Sequence, residues 1–318
     1  MRRGGRAGPV VAHLPRHPAT TAHGLTHMRR PTPRHLFALL LLTQWLSACS
    51  MGQIVARSSV SILDGGVDAM NRETDLALAA TAMPANLKLM EGLIVEDPSN
   101  DELPVYAAQG FYGYSFGFVE LDDPARAAAL YRRGFDYARR VLERQGLDLD
   151  ILNSPPDRLQ QAVARLGGKS VPALFWAASC WAKEIDLNRD DPARIAQLAS
   201  TEILMRRVLE LQPDYYYGSP YLYYGVYYGG RAPMFGGDPD KSAQNFDRAR
   251  AVTQGRLLIV DVLQAEYLER QRLDRQRFHD LLTRVLATPQ GVFPEMALVN
   301  QIARERARWL LGKEEAWF

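Results

Sequence analysis

The stretch that decides the fold is residues 213–249, which read PDYYYGSPYLYYGVYYGGRAPMFGGDPDKSAQNFDRA. An earlier stretch, residues 98–134, reads PSNDELPVYAAQGFYGYSFGFVELDDPARAAALYRRG and matches it at a constant offset of 115 residues. The identical positions are an initial Pro, a Tyr, a Gly, a second Tyr, an Asp-Pro pair, an Ala and an Arg. The return of such residues at a fixed spacing is typical of a repeated structural unit.

Each copy predicts a hairpin of two helices. Gly110 and Gly225 lack a side chain, so the first helix of each copy can approach a neighbour closely. The Asp-Pro pairs that begin at Asp123 and Asp238 suit the cap and the first position of the second helix. That helix then carries small, aromatic and small residues in the order of a tetratricopeptide repeat, namely Ala127/Ser242, Tyr131/Phe246 and Gly134/Ala249.

The rest of the chain has the same character. No alternation of apolar and polar residues is long enough to predict a β-sheet. We expect a first hairpin made of residues 67–82 and 84–96, and a degenerate third repeat in which residues 190–194 copy residues 122–126 letter for letter. The predicted fold is all-α, a tetratricopeptide-like α-solenoid or helical-hairpin array of about twelve helices.

Residues 1–48 differ in composition from the remainder. They hold seven Arg and no acidic residue, so their removal changes the formal net charge from +2 to −5. Arg29 and Arg30, the apolar residues 36–42 and the small residues before position 49 predict an exported signal peptide. Its apolar core is too short to span a bilayer permanently. A Met directly precedes the Arg pair and is an alternative start, so residues 1–27 need not be part of the protein.

Residues 46–49 read LSAC and resemble the bacterial lipobox, in which the Cys receives diacylglycerol and becomes the mature N-terminus. The resemblance implies a lipidation site at Cys49 and a periplasmic protein that is anchored to a membrane. Ser50, in place of Asp, favours the outer membrane by the rule known for enteric bacteria. An ordinary signal peptide with a Cys at this place by chance is the alternative. We expect a lipidated tether over residues 49–66 and a single tetratricopeptide-like helical domain over residues 67–318.

Several residue types exclude classes of site. Five of the six His lie in the leader, which leaves His279 and excludes a multi-histidine metal site within the mature chain. The paired acids of the Asp-Asp-Pro segments are explained by helix capping. Residues 165–170, RLGGKS, lack the first Gly and the preceding strand of a phosphate-binding loop. The Arg-rich segments 270–277 and 304–308 carry interleaved acids and are typical of solvated helix faces. We therefore expect no catalytic site, no metal, no cofactor and no nucleic-acid partner.

The tyrosines form the most unusual cluster, since eight of the 14 lie within residues 215–228. If residues 217–231 form a helix, these side chains divide into two stripes. The stripe that we assign to packing contains Tyr217, Tyr221, Tyr224 and Tyr228. The stripe that we assign to a ligand channel or partner surface contains Tyr216, Tyr223 and Tyr227, with Arg231 beside it. Tyrosine suits such a surface because it combines an apolar ring with a hydroxyl group. Packing of all these rings between helices is the alternative.

A polar loop after the apolar helix of residues 173–185 adds Asn188 and Arg189 as candidates for contact with a ligand or partner. An ordinary turn with satisfied hydrogen bonds is the alternative. The apolar helix itself and the tyrosine-rich helix hold more apolar surface than one core needs, and exposed surface of that kind marks interfaces. This surface supports self-association, an expectation that rests mainly on the family resemblance given next.

Four segments carry a family resemblance: DELPVYAAQG (101–110), DDPARAAALYRRG (122–134), DLNRDDP (186–192) and GGDPDKS (236–242). They are similar to the TatT family, the tetratricopeptide-like T components associated with TRAP transporters, and the likeness extends over residues 69–318. It implies a periplasmic lipoprotein that forms trimers around a central pore, binds a TRAP solute-binding protein and passes it a small hydrophobic ligand.

The expected function is therefore that of a non-catalytic accessory of TRAP-type solute uptake. Two alternatives from other classes stay open. One is a scaffold lipoprotein in envelope assembly that would use the repeats as a peptide-docking groove. The other is an enzyme with an acid or thiol site that the sequence does not reveal.

Overall fold

The computed structural model describes residues 60–147 and 153–318, with side chains from Ile62 onward. All regular elements in these two ranges are helices, and no strand is present there. The prediction of an all-α helical array is thus confirmed. The described residues belong to one compact unit that spans residues 49–318. The predicted leader, the lipidation site Cys49 and most of the predicted tether lie outside the described residues.

The helices follow one another with short connections. The first part of the chain forms α1 (Val60–Asn71), α2 (Leu76–Glu96), α3 (Glu102–Phe118), α4 (Pro124–Arg144), α5 (Pro156–Val163), α6 (Val171–Asp186) and α7 (Pro192–Ala196). The second part forms α8 (Leu198–Leu211), α9 (Tyr215–Gly229), α10 (Pro239–Val252), α11 (Ile259–Gln264), α12 (Arg275–Ala287), α13 (Ala297–Leu311) and α14 (Glu314–Trp317). Helix α11 continues through a π-helical turn, Ala265–Glu269, into Arg270–Arg272.

Asp-Pro pairs begin helices where the sequence predicts it. The Asp123 carboxylate accepts a hydrogen bond from the Arg126 N–H at 3.0 Å, and the Asp238 carboxylate accepts one from the Lys241 N–H at 3.0 Å. Asp191 caps the short helix α7 in the same way. A proline follows each cap at the first helical turn, where its missing N–H costs no hydrogen bond. These three predicted boundaries are confirmed.

The second repeat packs as a hairpin of α9 and α10. A methyl group on Gly225 would lie 2.8 Å from the ring of Phe246, so the absence of a side chain lets this ring pack against the α9 backbone. Ser242 Oγ donates a hydrogen bond to the Gly225 carbonyl at 2.7 Å. In the first repeat the equivalent residue, Gly110, instead faces Leu87 of α2, at a methyl distance of 2.8 Å. The two copies therefore share a hairpin but differ in the side chain that fills the groove.

The first hairpin differs from the prediction. The sequence suggested a break at Pro84, whereas α2 runs through it without interruption. The true start is at Asp75, whose carboxylate accepts two backbone hydrogen bonds at 2.9 and 3.0 Å. An internal proline costs a helix about 3 kcal/mol, and the buried side chains of Met83 and Leu87 offset this cost by packing α2 onto its neighbours. Helix α1 begins at Val60, inside the segment expected to be a tether.

The Arg-rich segment of α13 was expected to be a solvated face, and this expectation is wrong for two of its three arginines. Arg304 is 4 % exposed and Arg306 is 3 % exposed. Arg304 donates hydrogen bonds to backbone carbonyls at the end of α12, including Val285 at 2.9 Å. Arg306 instead pairs with carboxylates, as described below. Buried guanidinium groups are tolerated only with such partners.

Candidate functional site

A cavity of about 1050 Å³ lies within the helical array. Its wall is contributed by α1, α2, α3, α6, α7, α8, α9, α11 and α13, together with the connections that follow α6, α9, α10, α11 and α12. Pockets for small molecules are commonly about 300–1,000 Å³, so this cavity is large enough for a complete organic ligand. Its middle is apolar and includes Leu222, Val226, Leu263, Val299 and Ile302.

One end of the cavity is aromatic. The ring of Tyr216 lies 6.1 Å from the ring of Phe175 and 5.2 Å from that of Trp176. Gln109 Nε2 donates a long hydrogen bond to the Tyr216 hydroxyl at 3.4 Å. We call these four residues the aromatic end. Trp176 Nε1 is buried at this end without a hydrogen-bond partner among the described residues, and the remaining surface is offered by rings.

The other end carries charge. Lys183 Nζ donates a hydrogen bond to the Tyr267 hydroxyl at 3.2 Å and lies 3.3 Å from Asp186 Oδ2. The Tyr267 hydroxyl in turn donates to Asp186 Oδ2 at 2.6 Å. Arg189 Nε donates to Asp186 Oδ1 at 2.8 Å, and its Nη1 donates to the Gly230 carbonyl at 3.3 Å. We call this group, with Arg231, the charged end.

The two ends are joined along α6 and α9. Phe175 and Trp176 lie near the start of α6, and Asp186 is its last residue. At a helical rise of 1.5 Å per residue, Phe175 and Asp186 are separated by about 16 Å. Tyr216 lies at the start of α9 and Gly230 follows its end, so α6 and α9 run in the same direction along the wall. The cavity is therefore elongated, with chemically different ends.

Four of the residues predicted to contact a ligand or partner lie on this wall: Tyr216, Tyr223, Tyr227 and Arg231. The Tyr223 hydroxyl shares a hydrogen bond of 2.6 Å with Thr201 Oγ1, and its ring stacks on that of Tyr227 with centroids 5.8 Å apart. The Arg231 guanidinium lies 3.9 Å from the centroid of the Tyr227 ring. These side chains are thus held in place by one another along α9.

Asn188 is not on the wall. Its Nδ2 donates a hydrogen bond to the Glu184 carbonyl at 2.7 Å, which closes the turn after α6. Arg189, the next residue, lies on the wall instead. The Asn188 side chain is therefore explained by an ordinary turn. The polar loop still contributes the Arg189 side chain to the cavity.

The stripe assigned to packing is less uniform than helical periodicity suggested. Tyr224 is buried, and its hydroxyl donates to Glu202 Oε1 at 2.9 Å. Tyr217, by contrast, is 36 % exposed, and its ring contacts Phe293 with centroids 5.2 Å apart. None of the four members of this stripe belongs to the cavity wall.

The expected helix over residues 217–231 is regular only from Ser219. Tyr216 and Tyr217 have positive φ angles of 45° and 61°, and Gly218 follows at 78°. Gly218 lies close to Val252, where a methyl group would be 3.0 Å from the valine Cβ, and Pro220 fits the first turn of the regular helix that follows, because its missing N–H costs no hydrogen bond there. The left-handed turn, not helical spacing, thus directs Tyr216 to the aromatic end.

A buried ionic network adjoins the charged end, and the sequence did not predict it. Glu120, 5 % exposed, accepts hydrogen bonds from Lys183 at 2.9 Å, Arg306 at 2.8 Å and the Tyr131 hydroxyl at 2.6 Å. Arg306 also donates two hydrogen bonds to the Glu266 carboxylate, at 2.9 and 2.8 Å. Residues from α4, α6 and α13 thus meet at one carboxylate in the connection after α3.

Electrostatics keep this network ionised. Burial alone would raise the pKa of Glu120, but Lys183 and Arg306 hold that pKa below its usual value. Burial also opposes ionisation of Asp186, yet Lys183 and Arg189 lower its pKa to about 2. The pKa of Lys183 is raised, since Glu120 and Asp186 outweigh the effect of burial. At neutral pH all these groups carry charge.

One signal could have indicated the network. Lys183 lies on α6 among buried Phe, Trp, Ile and Cys side chains, and a lysine in such surroundings requires a partner of opposite charge. The identity of that partner could not be found locally. Glu120 is 63 residues away from Lys183 and 186 residues away from Arg306 in the chain.

Other chemistry is sparse in the part of the chain that the structure describes. Cys180 is a free, buried thiol whose pKa is raised by burial. Within residues 60–147 and 153–318 no group of three or more His, Cys, Asp or Glu side chains is arranged to hold a metal ion. Among the described helices, none combines the length and the apolar character needed to cross a membrane.

Comparison with known proteins decides the family. A model of the family described as TRAP transporter T-component matches residues 72–318. The chain belongs to this family. The matched range includes all the helices that line the cavity except α1, so the cavity is built almost wholly from the T-component sequence. The resemblance inferred from the four quoted segments is thereby confirmed.

A curated relative extends the comparison. A protein of Treponema pallidum (strain Nichols), described as uncharacterized, is 23% identical over 262 residues, which cover 77% of this chain and 81% of that protein. The aligned region therefore covers most of both proteins.

Proposed function

We propose that this T-component is a non-catalytic accessory of TRAP-type solute uptake that binds a TRAP solute-binding protein and holds a small hydrophobic ligand in its cavity. Membership of the family supports a role as an accessory component of a TRAP transporter. The observation that carries the finer proposal is the elongated apolar cavity of about 1050 Å³. A cavity of this size lowers the stability of a helical array, since unfilled apolar volume costs packing energy, and a bound apolar ligand offsets that cost.

The same proposal places the protein in the periplasm. Cys49 carries the lipid, the outer membrane is the favoured membrane, and residues after Cys49 tether the helical domain. Replacement of Cys49 by Ala should abolish metabolic labelling with a fatty acid and release the protein from membranes. Unchanged labelling of the variant would overturn the anchor. For the assays below, residues 49–318 with Cys49→Ala are called the soluble mature form.

Self-association, as a homotrimer, completes the proposal. Four exposed apolar residues lie on the edge of the cavity wall: Ile62, Leu89, Ile195 and Phe235. Exposed apolar groups beside a cavity are typical of surfaces that meet another protein. Analytical ultracentrifugation of the soluble mature form at tens of micromolar should give a trimer. A clean monomer would remove the trimer from the proposal.

The partner is tested directly by calorimetry. The soluble mature form should bind the solute-binding protein that is encoded beside its gene, and should not bind a solute-binding protein from an unrelated transporter. Phe235→Ser, which changes an exposed side chain on the edge of the cavity, should weaken binding more than Leu273→Ser, which changes an exposed side chain away from the cavity wall. Absence of binding, or a gene neighbourhood of outer-membrane assembly proteins without TRAP subunits, would favour the scaffold function instead.

A further inference from the structure

Arg231 differs from the other cations of the cavity wall. Lys183 and Arg189 each pair with a carboxylate, whereas no carboxylate of the described residues lies within ion-pair distance of Arg231. Arg231 Nε donates to the Tyr227 carbonyl at 2.9 Å, and Nη1 donates to the Phe235 carbonyl at 3.3 Å. Both N–H groups of Nη2 have no hydrogen-bond partner among the described residues.

The position of this guanidinium group is nevertheless fixed. Its plane lies over the Tyr227 ring at 3.9 Å, and cation–π contact with two backbone hydrogen bonds limits its rotamers. A held guanidinium group with free donors is the arrangement that binds carboxylates and phosphates most effectively.

The neighbouring ionic network does not neutralise Arg231. Lys183, Arg189 and Arg306 are balanced by Glu120, Asp186 and Glu266, and their contacts are those described above. Arg231 therefore leaves the charged end with one positive charge in excess. Because a cation beside apolar walls is stabilised by a counter-charge, the charged end favours a ligand with one negative charge.

The length and the apolar character of the remaining cavity determine what the rest of such a ligand can be. From the charged end the wall continues over Val226 and Leu222 on α9 and over Leu263 on α11 before it reaches Trp176 and Tyr216. The path is about 16 Å long. No charged side chain of the described residues is present at the aromatic end, so a long apolar group is accommodated there.

We propose that the ligand of this cavity is an elongated amphiphile with a single anionic head group, bound by Arg231, and an apolar tail that extends towards Trp176 and Tyr216. The inference rests on the proposed function, in which the cavity holds a ligand, and adds the chemical class and the orientation. The shared chemistry of the head group is that of an oxyanion, either a carboxylate with one negative charge or a monoester phosphate with one to two negative charges.

Head-group preference is tested with two probes of equal chain length, dodecanoate and dodecanol. Each displaces Nile red from the soluble mature form, and the comparison is made in wild type, Arg231→Gln and Arg231→Lys. A charge-assisted hydrogen bond corresponds to a preference of about tenfold or more. We therefore expect dodecanoate to bind at least about tenfold more tightly than dodecanol in wild type, with the preference lost in Arg231→Gln and largely kept in Arg231→Lys. Dodecyl phosphate, measured in the same way, distinguishes the two head groups.

The outcomes separate this inference from the proposed function. If dodecanol and dodecanoate bind equally in wild type, the anionic head group is refuted while an apolar ligand site remains. If neither binds and Nile red is not retained, the ligand-binding part of the proposed function fails as well. If the preference for dodecanoate persists in Arg231→Gln, another cation holds the head group and the assignment to Arg231 is wrong.

Orientation is tested by fluorescence quenching with brominated dodecanoates. Dodecanoate brominated at its terminal carbon should quench Trp176, and the quenching should disappear in Trp176→Phe. Bromination next to the carboxylate should have little effect, because that carbon lies at the charged end. Stronger quenching by the second probe would place the head group at the aromatic end and overturn the orientation.

Discussion

Replacement of Glu120 by Gln removes one negative charge from the centre of the buried network and keeps the size of the side chain. Three donors converge on this carboxylate, from Lys183, Arg306 and Tyr131, at 2.9, 2.8 and 2.6 Å. The glutamine amide accepts through one atom only, and its NH₂ group faces donors. The substitution therefore leaves buried positive charge without its full counter-charge.

The magnitude follows from what each cation retains. Loss of one partner of a buried ion pair costs about 3 to 5 kcal/mol. Lys183 keeps Asp186 at 3.3 Å, and Arg306 keeps both oxygens of Glu266. We therefore expect a loss near the lower limit, about 3 kcal/mol in the free energy of unfolding.

The assay is urea unfolding of the soluble mature form, followed by far-ultraviolet circular dichroism. Glu305→Gln is the matched control, because Glu305 is also a glutamate, is 57% exposed at the side chain and pairs with Arg308 on the surface. Surface pairs contribute about 0 to 1 kcal/mol, so the control should unfold close to wild type. If Glu120→Gln also stays within about 1 kcal/mol of wild type, the network does not hold the helices together as we infer.

Three further predictions use other parts of the molecule. Tyr224→Ala should lower the free energy of unfolding by about 3 to 5 kcal/mol, while Tyr227→Ala should lower it less and weaken Nile red binding more. Equal losses of stability, with binding that follows stability, would show that both tyrosines belong to the core. Gly225→Ala should destabilise the protein by about 1 to 3 kcal/mol, because the new methyl group overpacks against α10. Gly92→Ala should stabilise it by about 0.5 to 1 kcal/mol, because the new methyl group meets no atom within 4 Å. Melting temperatures that rank the other way would contradict this packing. The Asp186 pKa is lowered from 3.8 to about 2, so ionised Asp186 contributes about 2 kcal/mol to the free energy of unfolding. This contribution is present above the unfolded pKa and is lost as the pH falls from about 4 to 2. Urea unfolding of Asp186→Asn at several pH values should lack this acid-dependent loss, and an unchanged loss would assign it to other groups.

Local chemistry explains which parts of the fold could be predicted. Asp123 and Asp238 cap helices because an Asp before a Pro favours that geometry in any context. The close approach at Gly225 follows from its missing side chain, but the repeat does not identify the neighbour, since Gly110 faces Leu87 whereas Gly225 faces Phe246. Pro84 misled the prediction because the packing of α2 outweighs the local cost of the proline.

Only part of the candidate site could be predicted from the sequence. Tyr223, Tyr227 and Arg231 were placed together because they follow one regular helix, and the structure brings them to one wall. Tyr216 reaches that wall for a different reason, since the chain makes a left-handed turn at residues 216–218. The pairing of Glu120 with Arg306 joins distant parts of the chain, and no pattern within either segment reports it.

The most direct test of the central claim fills the cavity. Val226 lies on the cavity wall at the middle of its length, and Val226→Trp places an indole ring in the space that the ligand would occupy. Nile red titration of the soluble mature form should show saturable binding in wild type, and Val226→Trp should abolish it without a fall in melting temperature. Saturable binding of unchanged affinity in Val226→Trp would contradict the assignment of this cavity as the ligand site.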